Sequence, residues 1–275
     1  MTFAPTRPIG PARNRFLGAV YARNSSAVMS RGLLATRSSN VAIVVSGFFE
    51  PVFYLLSMGI GLGALVGTVV TTTGQEVSYA AFIAPALLAV SAMNGAIYDS
   101  TWNVFFKMNY AKLYEGMLTT SLGPLDVALG EIALALLRGV LYALGFLIVM
   151  QSLGLNLSWT AILALPAVVL IAFGFASLGM AVTSYLTTFQ QMDWINFVML
   201  PMFLFSATFY PLSVYPEPIQ WIVQALPLWH GVELIRGLTT GALSMALLGH
   251  VLYYLVMIAI GLVFTTSRLK KLFLD

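Results

Sequence analysis

The sequence predicts an all-α polytopic membrane protein with six transmembrane helices. Two observations carry that prediction: six long apolar runs, and a one-sided distribution of Lys and Arg around them. The runs lie at about 41–66, 79–101, 127–151, 160–185, 194–212 and 244–267. Each reaches the roughly 20 apolar residues a helix needs to cross a hydrocarbon core, the fifth only marginally. Hydrophobic residues are 59% and charged residues 8% of the 275-residue chain, too little polar surface to clothe a soluble globule. No polar linker divides the runs, so 41–267 reads as a single transmembrane domain.

The charges orient it. Before the first run stand Arg7, Arg13, Arg15, Arg23, Arg31 and Arg37; Lys107 and Lys112 lie between the second and third, and Arg268, Lys270 and Lys271 after the sixth. Of the 13 basic residues only Arg138, inside the third run, and Arg236, in an opposite loop, fall elsewhere. The positive-inside rule then places both termini in the cytoplasm. The net charge of +3 therefore reports topology and an anionic inner leaflet, not nucleic-acid binding. With no Cys, disulfides, thiolate metal sites and Cys nucleophiles are excluded. The first run is too long for a signal-peptide core and lacks a clear small-residue cleavage site, so it reads as a membrane helix.

Taken in order, residues 1–13 form a Pro-containing, loosely ordered cytoplasmic terminus. Residues 14–40 mix Phe16, Leu17, Val20, Tyr21, Val28, Met29 and Leu33 with Arg, which suits an interfacial helix reaching for phosphates; a soluble helix packed on a partner is the competing reading. In the first run Pro51, after Glu50, predicts a kink. Gly59, Gly63 and Gly67 recur on one face and predict close helix packing, within the chain or with a second copy. Segment 103–122 is amphipathic, with Phe106, Tyr110, Leu113 and Met117 on one stripe and Lys107, Lys112 and Glu115 off it. Such a cytoplasmic helix is either an inert surface or a handle for another protein. Pro124 then opens the third helix.

After the fifth run, Pro211, Pro216, Pro218 and Pro227 punctuate an aromatic stretch with Trp221 and Trp229. The apolar piece 219–228 is too short to span and too apolar for an ordinary loop, so a re-entrant or interfacial hairpin at the outer face is predicted. His230, Glu233 and Arg236 follow at three-residue spacing; the plainest reading is a helix face exposed among external headgroups. Residues 268–275 form the cytoplasmic C-terminus.

Glu50, Asp99, Glu131, Arg138 and Asp193 fall within or at the edges of the runs. Ionised groups at such depth face a bundle interior or a wet cavity and find partners. Glu131 and Arg138 are seven residues apart, about 10 Å of helix rise, so Arg138 is better placed to meet Glu50 or Asp99. These charges either fix helix packing or serve gating and the substrate path. No G-x-x-x-x-G-K-[ST] loop, H-E-x-x-H pair or G-x-S-x-G elbow occurs.

Three stretches carry a family resemblance: Phe49-Glu50-Pro51-Val52-Phe53-Tyr54-Leu55 leading into Gly59-Ile60-Gly61-Leu62-Gly63; Tyr110 to Glu131, similar to a Y-x-x-M-L-x-T-(S/P)-L-x-P-x-D-x-x-x-G-E pattern; and Phe209-Tyr210-Pro211 followed by Pro227-Leu228-Trp229-His230 and Arg236. From about Arg15 to Lys271 the chain resembles the permease subunits of ABC type-2 exporters, particularly those of the nodulation lipo-oligosaccharide and daunorubicin-type drug exporters. Ser121 departs from the pattern where many relatives carry Pro, and the spacing before Pro227 fits only loosely.

The resemblance implies an interfacial helix, six membrane helices and a re-entrant helical pair between the fifth and sixth. It implies two permeases, identical or paralogous, and two separate ABC ATPase subunits in the bacterial cytoplasmic membrane. ATP and Mg belong to the ATPase; this chain carries no cofactor, metal or catalytic residue. Segment 103–122 becomes the ATPase-coupling region, with Lys107, Lys112, Tyr114 and Glu115 as the contacts to test. Asn94, Tyr98, Asn196, Met199 and Phe203 become candidates for the substrate path, and the expected cargo is amphipathic: a drug, lipid or lipo-oligosaccharide. The rival classes are a proton-coupled secondary carrier using Glu50, Asp99 or Asp193, and a membrane enzyme acting on lipid-linked sugars.

Overall fold

The computed structural model describes residues 24–36, 49–71 and 74–273. The expected terminus 1–13, the start of the expected interfacial helix and the first residues of the first apolar run lie outside these. The described chain forms α1 (Ser25–Thr36), α2 (Phe49–Val66), α3 (Tyr79–Tyr110), α4 (Leu113–Leu118), α5 (Pro124–Ser152), α6 (Trp159–Thr183), α7 (Asp193–Phe205), α8 (Glu217–Ala225), α9 (Pro227–Thr240) and α10 (Ala246–Phe273). Among the described residues, α2, α3, α5, α6 and α10 are long and apolar enough to cross a membrane.

The fifth apolar run behaves differently from the others. Its helix, α7, has 13 residues, about 20 Å of rise against a hydrocarbon core of about 30 Å. Pro201 lies inside it, and the chain bends at Ser206 and Ala207 instead of continuing to 212. A small antiparallel hairpin is a second departure from an all-α chain: β1 (Thr68–Val70) pairs with β2 (Glu76–Ser78), Val69 opposite Val77. Gly67, at φ +74, turns the chain out of α2 into it, and Ser78 then caps α3 by accepting the Ala81 N–H.

α3 is the central helix, buried along most of its length and packed on α2, α5, α6 and α9. Its alanines (81, 84, 86, 89, 92 and 96) let neighbours approach closely. At Gly95 the approach is backbone to backbone: a methyl there would lie 2.9 Å from the Gly139 Cα of α5. Gly174 receives Tyr254 of α10, and Gly261 of α10 lies against Ser177. Within the chain, the expected packing stripe in α2 is used at one position. Only Gly59 meets a neighbour, Ala80, whereas Gly61 and Gly63 have none within 4 Å.

Pro51 falls in the first turn of α2 as described; the irregularity in that helix is a run of wide, π-type turns over Leu55–Leu62. α3 also runs further than expected. It absorbs the first part of the amphipathic segment, through π-type turns at Asp99–Asn103 and Phe106–Tyr110, and stops where Lys112 takes φ +47. That break resets the helical phase. Phe106 and Tyr110 are left exposed and stacked on each other, while Met117 on α4 is buried.

α1 packs against α5 through Val28, which seats on Gly130, and Gly32, which receives Leu134. The sixth-run helix α10 lies along α6. At the opposite end of α5 from α1, the loop before α6 and the first turn of α6 are tied to α9: Leu157 N–H donates to Thr239 O and Thr160 Oγ1 to Leu238 O.

Candidate functional site

Three groups of side chains follow one another along α3, between α4 and α9. The middle one is a cavity of about 330 Å³ between α2, α3 and α7. α3 presents Leu87, Val90 and Asn94 to it, and α7 presents Asn196, Met199, Leu200 and Phe203, each set at helical one-face spacing. α2 contributes Glu50, Pro51 and Tyr54, and the Tyr54 and Phe203 rings meet edge-on with centroids 5.5 Å apart. Four of the expected path residues therefore share one cavity. Tyr98 does not: it is half exposed, a turn beyond Asn94, with the Arg138 guanidinium 5.6 Å from its ring centroid. The lining offers one carboxylate and two amides in an otherwise apolar wall, a surface for a largely apolar solute with a polar part.

Next, towards α4, Asp99, Glu131 and Arg138, with Lys107, pair as two rungs between α3 and α5. Arg138 Nε lies 2.9 Å from Asp99 Oδ2, and Lys107 Nζ lies 2.6 Å from Glu131 Oε2. Asn103 donates a second hydrogen bond to Asp99. Both α3 residues sit in its wide turns, so the rungs fall where that helix departs from regular geometry, a frequent feature of functional helices. Lys107 thus faces α5. Asp193 is exposed in the first turn of α7, where the helix dipole favours a carboxylate.

α4 rests on the lower rung. Tyr114 is fully buried, so it anchors the segment from beneath; burial, and then the adjacent Glu131 carboxylate, push its phenol well above the usual range. Lys112 and Glu115 are exposed, 4.0 Å apart, a contact worth little by itself. With Phe106 and Tyr110 they make an apolar and charged surface at this end.

A residue outside the expected set holds this end together. Asp126, completely buried, accepts the Asn24 N–H at 2.8 Å and the Gly123 N–H at 3.0 Å. One carboxylate so fastens the start of α1 to the start of α5. Its sequence signal was an Asp two residues after Pro124, in the first turn of a helix.

At the other end lie α8 and α9. Pro211 precedes the turn Leu212–Val214, and Pro227 opens α9 while its carbonyl accepts the Tyr254 hydroxyl. Trp221 is well exposed. His230 and His250 bring their Nδ1 atoms to 2.7 Å, with Tyr253 stacked on His230. The reading of 230, 233 and 236 as an exposed face is overturned at Arg236, while His230 and Glu233 are half-buried. Arg236 is 3% exposed and pairs with Glu233, because this face of α9 turns towards α3 and the end of α7.

The ABC-2 type transporter family matches residues 24–240. The chain is 32% identical over 250 residues to Nodulation protein J of Rhizobium leguminosarum bv. viciae, covering 90% of this chain and 94% of that protein. It is 35% identical over 217 residues to Nodulation protein J of Bradyrhizobium diazoefficiens, covering 78% and 80%, and 34% identical over 215 residues to that of Sinorhizobium fredii, again 78% and 80%. The chain belongs to the ABC-2 type transporter family, as a membrane subunit whose part is transport, not catalysis.

Proposed function

We propose that the chain is the permease of an ATP-driven exporter in the bacterial cytoplasmic membrane. Two copies, or one copy and a paralogue, work with two ABC ATPase subunits that bind ATP and Mg. α2, α3, α5, α6, α7 and α10 are the six spans, α7 completed by the turns that flank it. α1 is the interfacial helix, α8 and α9 form the re-entrant pair, and both termini face the cytoplasm. The ATPase seats on Phe106, Tyr110, Lys112 and Glu115. Its closure moves α4, and Tyr114 and the Lys107–Glu131 rung pass that motion to α3 and α5. The cavity between α2, α3 and α7, closed by the second copy, then turns from inward- to outward-facing and releases an amphipathic substrate.

The observation that carries this reading is mechanical continuity. The exposed surface around α4 is tied, through a buried Tyr and a buried ion pair, to the helix whose next turns wall the cavity. The test is co-expression with a candidate ATPase subunit, comparing the parent with Lys112→Glu and Glu115→Lys. A stable complex whose ATP hydrolysis falls, or which dissociates, on charge reversal supports it; a parent chain that recruits no ATPase refutes it.

The secondary-carrier alternative keeps one specific support. Glu50 lines the cavity, whereas Asp99 is held by Arg138. Transport driven by a proton gradient without ATP, and lost in Glu50→Gln, would favour it.

A further inference from the structure

The end of α7 is a buried elbow, at which the Ser206 hydroxyl donates back to Met202 O of the helix. Ser206, Ala207 and Thr208 are buried, and Ala207 holds φ +54, a conformation strained for any residue with a Cβ. The elbow stands where Arg236 reaches it. The guanidinium donates to Ala207 O at 2.9 Å and to Phe82 O at 3.4 Å, pairs with Glu233, and lies 4.0 Å from the Phe82 ring centroid. One buried side chain on α9 thereby joins the first turn of α3 to the end of α7. The planar fork of Arg serves several acceptors at once, which a Lys ammonium does not.

The body of α7 is held far less firmly. Beside the 330 Å³ cavity it borders an apolar groove of about 620 Å³ towards α6 and α8, and Met199 lines both. At its other end, a ring contact between Trp102 and Phe189 holds the preceding turn. With its end fixed by hydrogen bonds at the elbow and its start held by one ring contact, the helix has room on two sides to swing about the pin. Release of the pin in each cycle would instead strand a buried ion.

We propose that Arg236 is the positioning residue of the outer gate: it fixes the elbow at Ala207, so that α7 pivots there when the path opens outward. This rests on the transport reading above. The test uses the chain with its ATPase in nanodiscs and proteoliposomes, and Arg236→Lys. The complex is expected to assemble and hydrolyse ATP within about twofold of the parent, while transport per ATP falls roughly tenfold. In the chain alone, spin labels at Val198→Cys and Ile148→Cys, both exposed sites in a Cys-free chain, are expected to report a broadened distance distribution. Transport and hydrolysis falling in proportion, neither changing, or an unbroadened distribution overturns the proposal. Phe82→Leu keeps the carbonyl and the ion pair and removes only the ring; it is expected to lower transport per ATP about threefold, and no change there also overturns it. A parent chain that binds no ATPase defeats the transport reading, while the spin-label distances still test the pin.

Discussion

Replacing Lys107 by Met removes the ammonium 2.6 Å from Glu131 Oε2 and leaves the carboxylate behind. The two partners are not equivalent. The Glu131 side chain is 2% exposed against 26% for Lys107, and the buried Tyr114 phenol lies beside its carboxylate. Stranding one member of a buried pair costs roughly 3–5 kcal/mol, and the partial exposure of Lys107 puts this rung at the lower end, about 3 kcal/mol. Glu131→Gln is milder, about 1 kcal/mol, because the freed Lys107 can extend its stem towards water. The double variant buries no charge and is expected within about 1 kcal/mol of the parent. The cycle therefore predicts a coupling energy of about 3 kcal/mol. Reversible unfolding of the four proteins by SDS in mixed micelles measures it. Additive costs, or Lys107→Met no worse than Glu131→Gln, would refute the claim that this rung joins α3 to α5.

Other substitutions probe neighbouring joints. Gly95→Ala places a methyl 2.9 Å from the Gly139 Cα and is expected to cost about 1–3 kcal/mol in the same assay, whereas Gly63→Ala, with open space around it, should stay within about 0.5 kcal/mol. Asp126→Ala strips the acceptor from Asn24 and Gly123 and is expected to cost about 1–3 kcal/mol. Its signature is faster amide exchange across Ser25–Thr36 with α10 unchanged; unaltered exchange in α1 would mean that Asp126 does not anchor it.

The five long apolar helices were legible because apolar length and Pro placement are local properties. Pro124 opens α5 as its sequence required, and the marginal length of the fifth run became a short α7 ended at Ala207. Arg138 was expected to bypass Glu131 on distance alone, and it meets Asp99. Which way a face turns was not legible. Spacing put His230, Glu233 and Arg236 on one side of a helix, but only the packing of α9 on α3 decides that Arg236 on this side is buried. The same limit holds for the glycines: a four-residue repeat marks a smooth face, and the neighbour that uses it is set by topology, which within the chain uses Gly95 and Gly139. The amphipathic stripe through Phe106 and Tyr110 failed because Lys112 adopts a left-handed conformation in mid-segment, a break without a Gly or Pro to announce it. Asn94, Asn196, Met199 and Phe203 came together because α3 and α7 face one another across the cavity.

The absence of Cys makes the central claim directly accessible. A single Asn196→Cys places a thiol on the cavity wall, and a membrane-impermeant maleimide is applied from each side of nanodisc-free proteoliposomes containing the ATPase. The account predicts labelling from the ATPase side without nucleotide, and from the opposite side once ATP and vanadate hold the ATPase closed. Labelling from the same side in both states would contradict it.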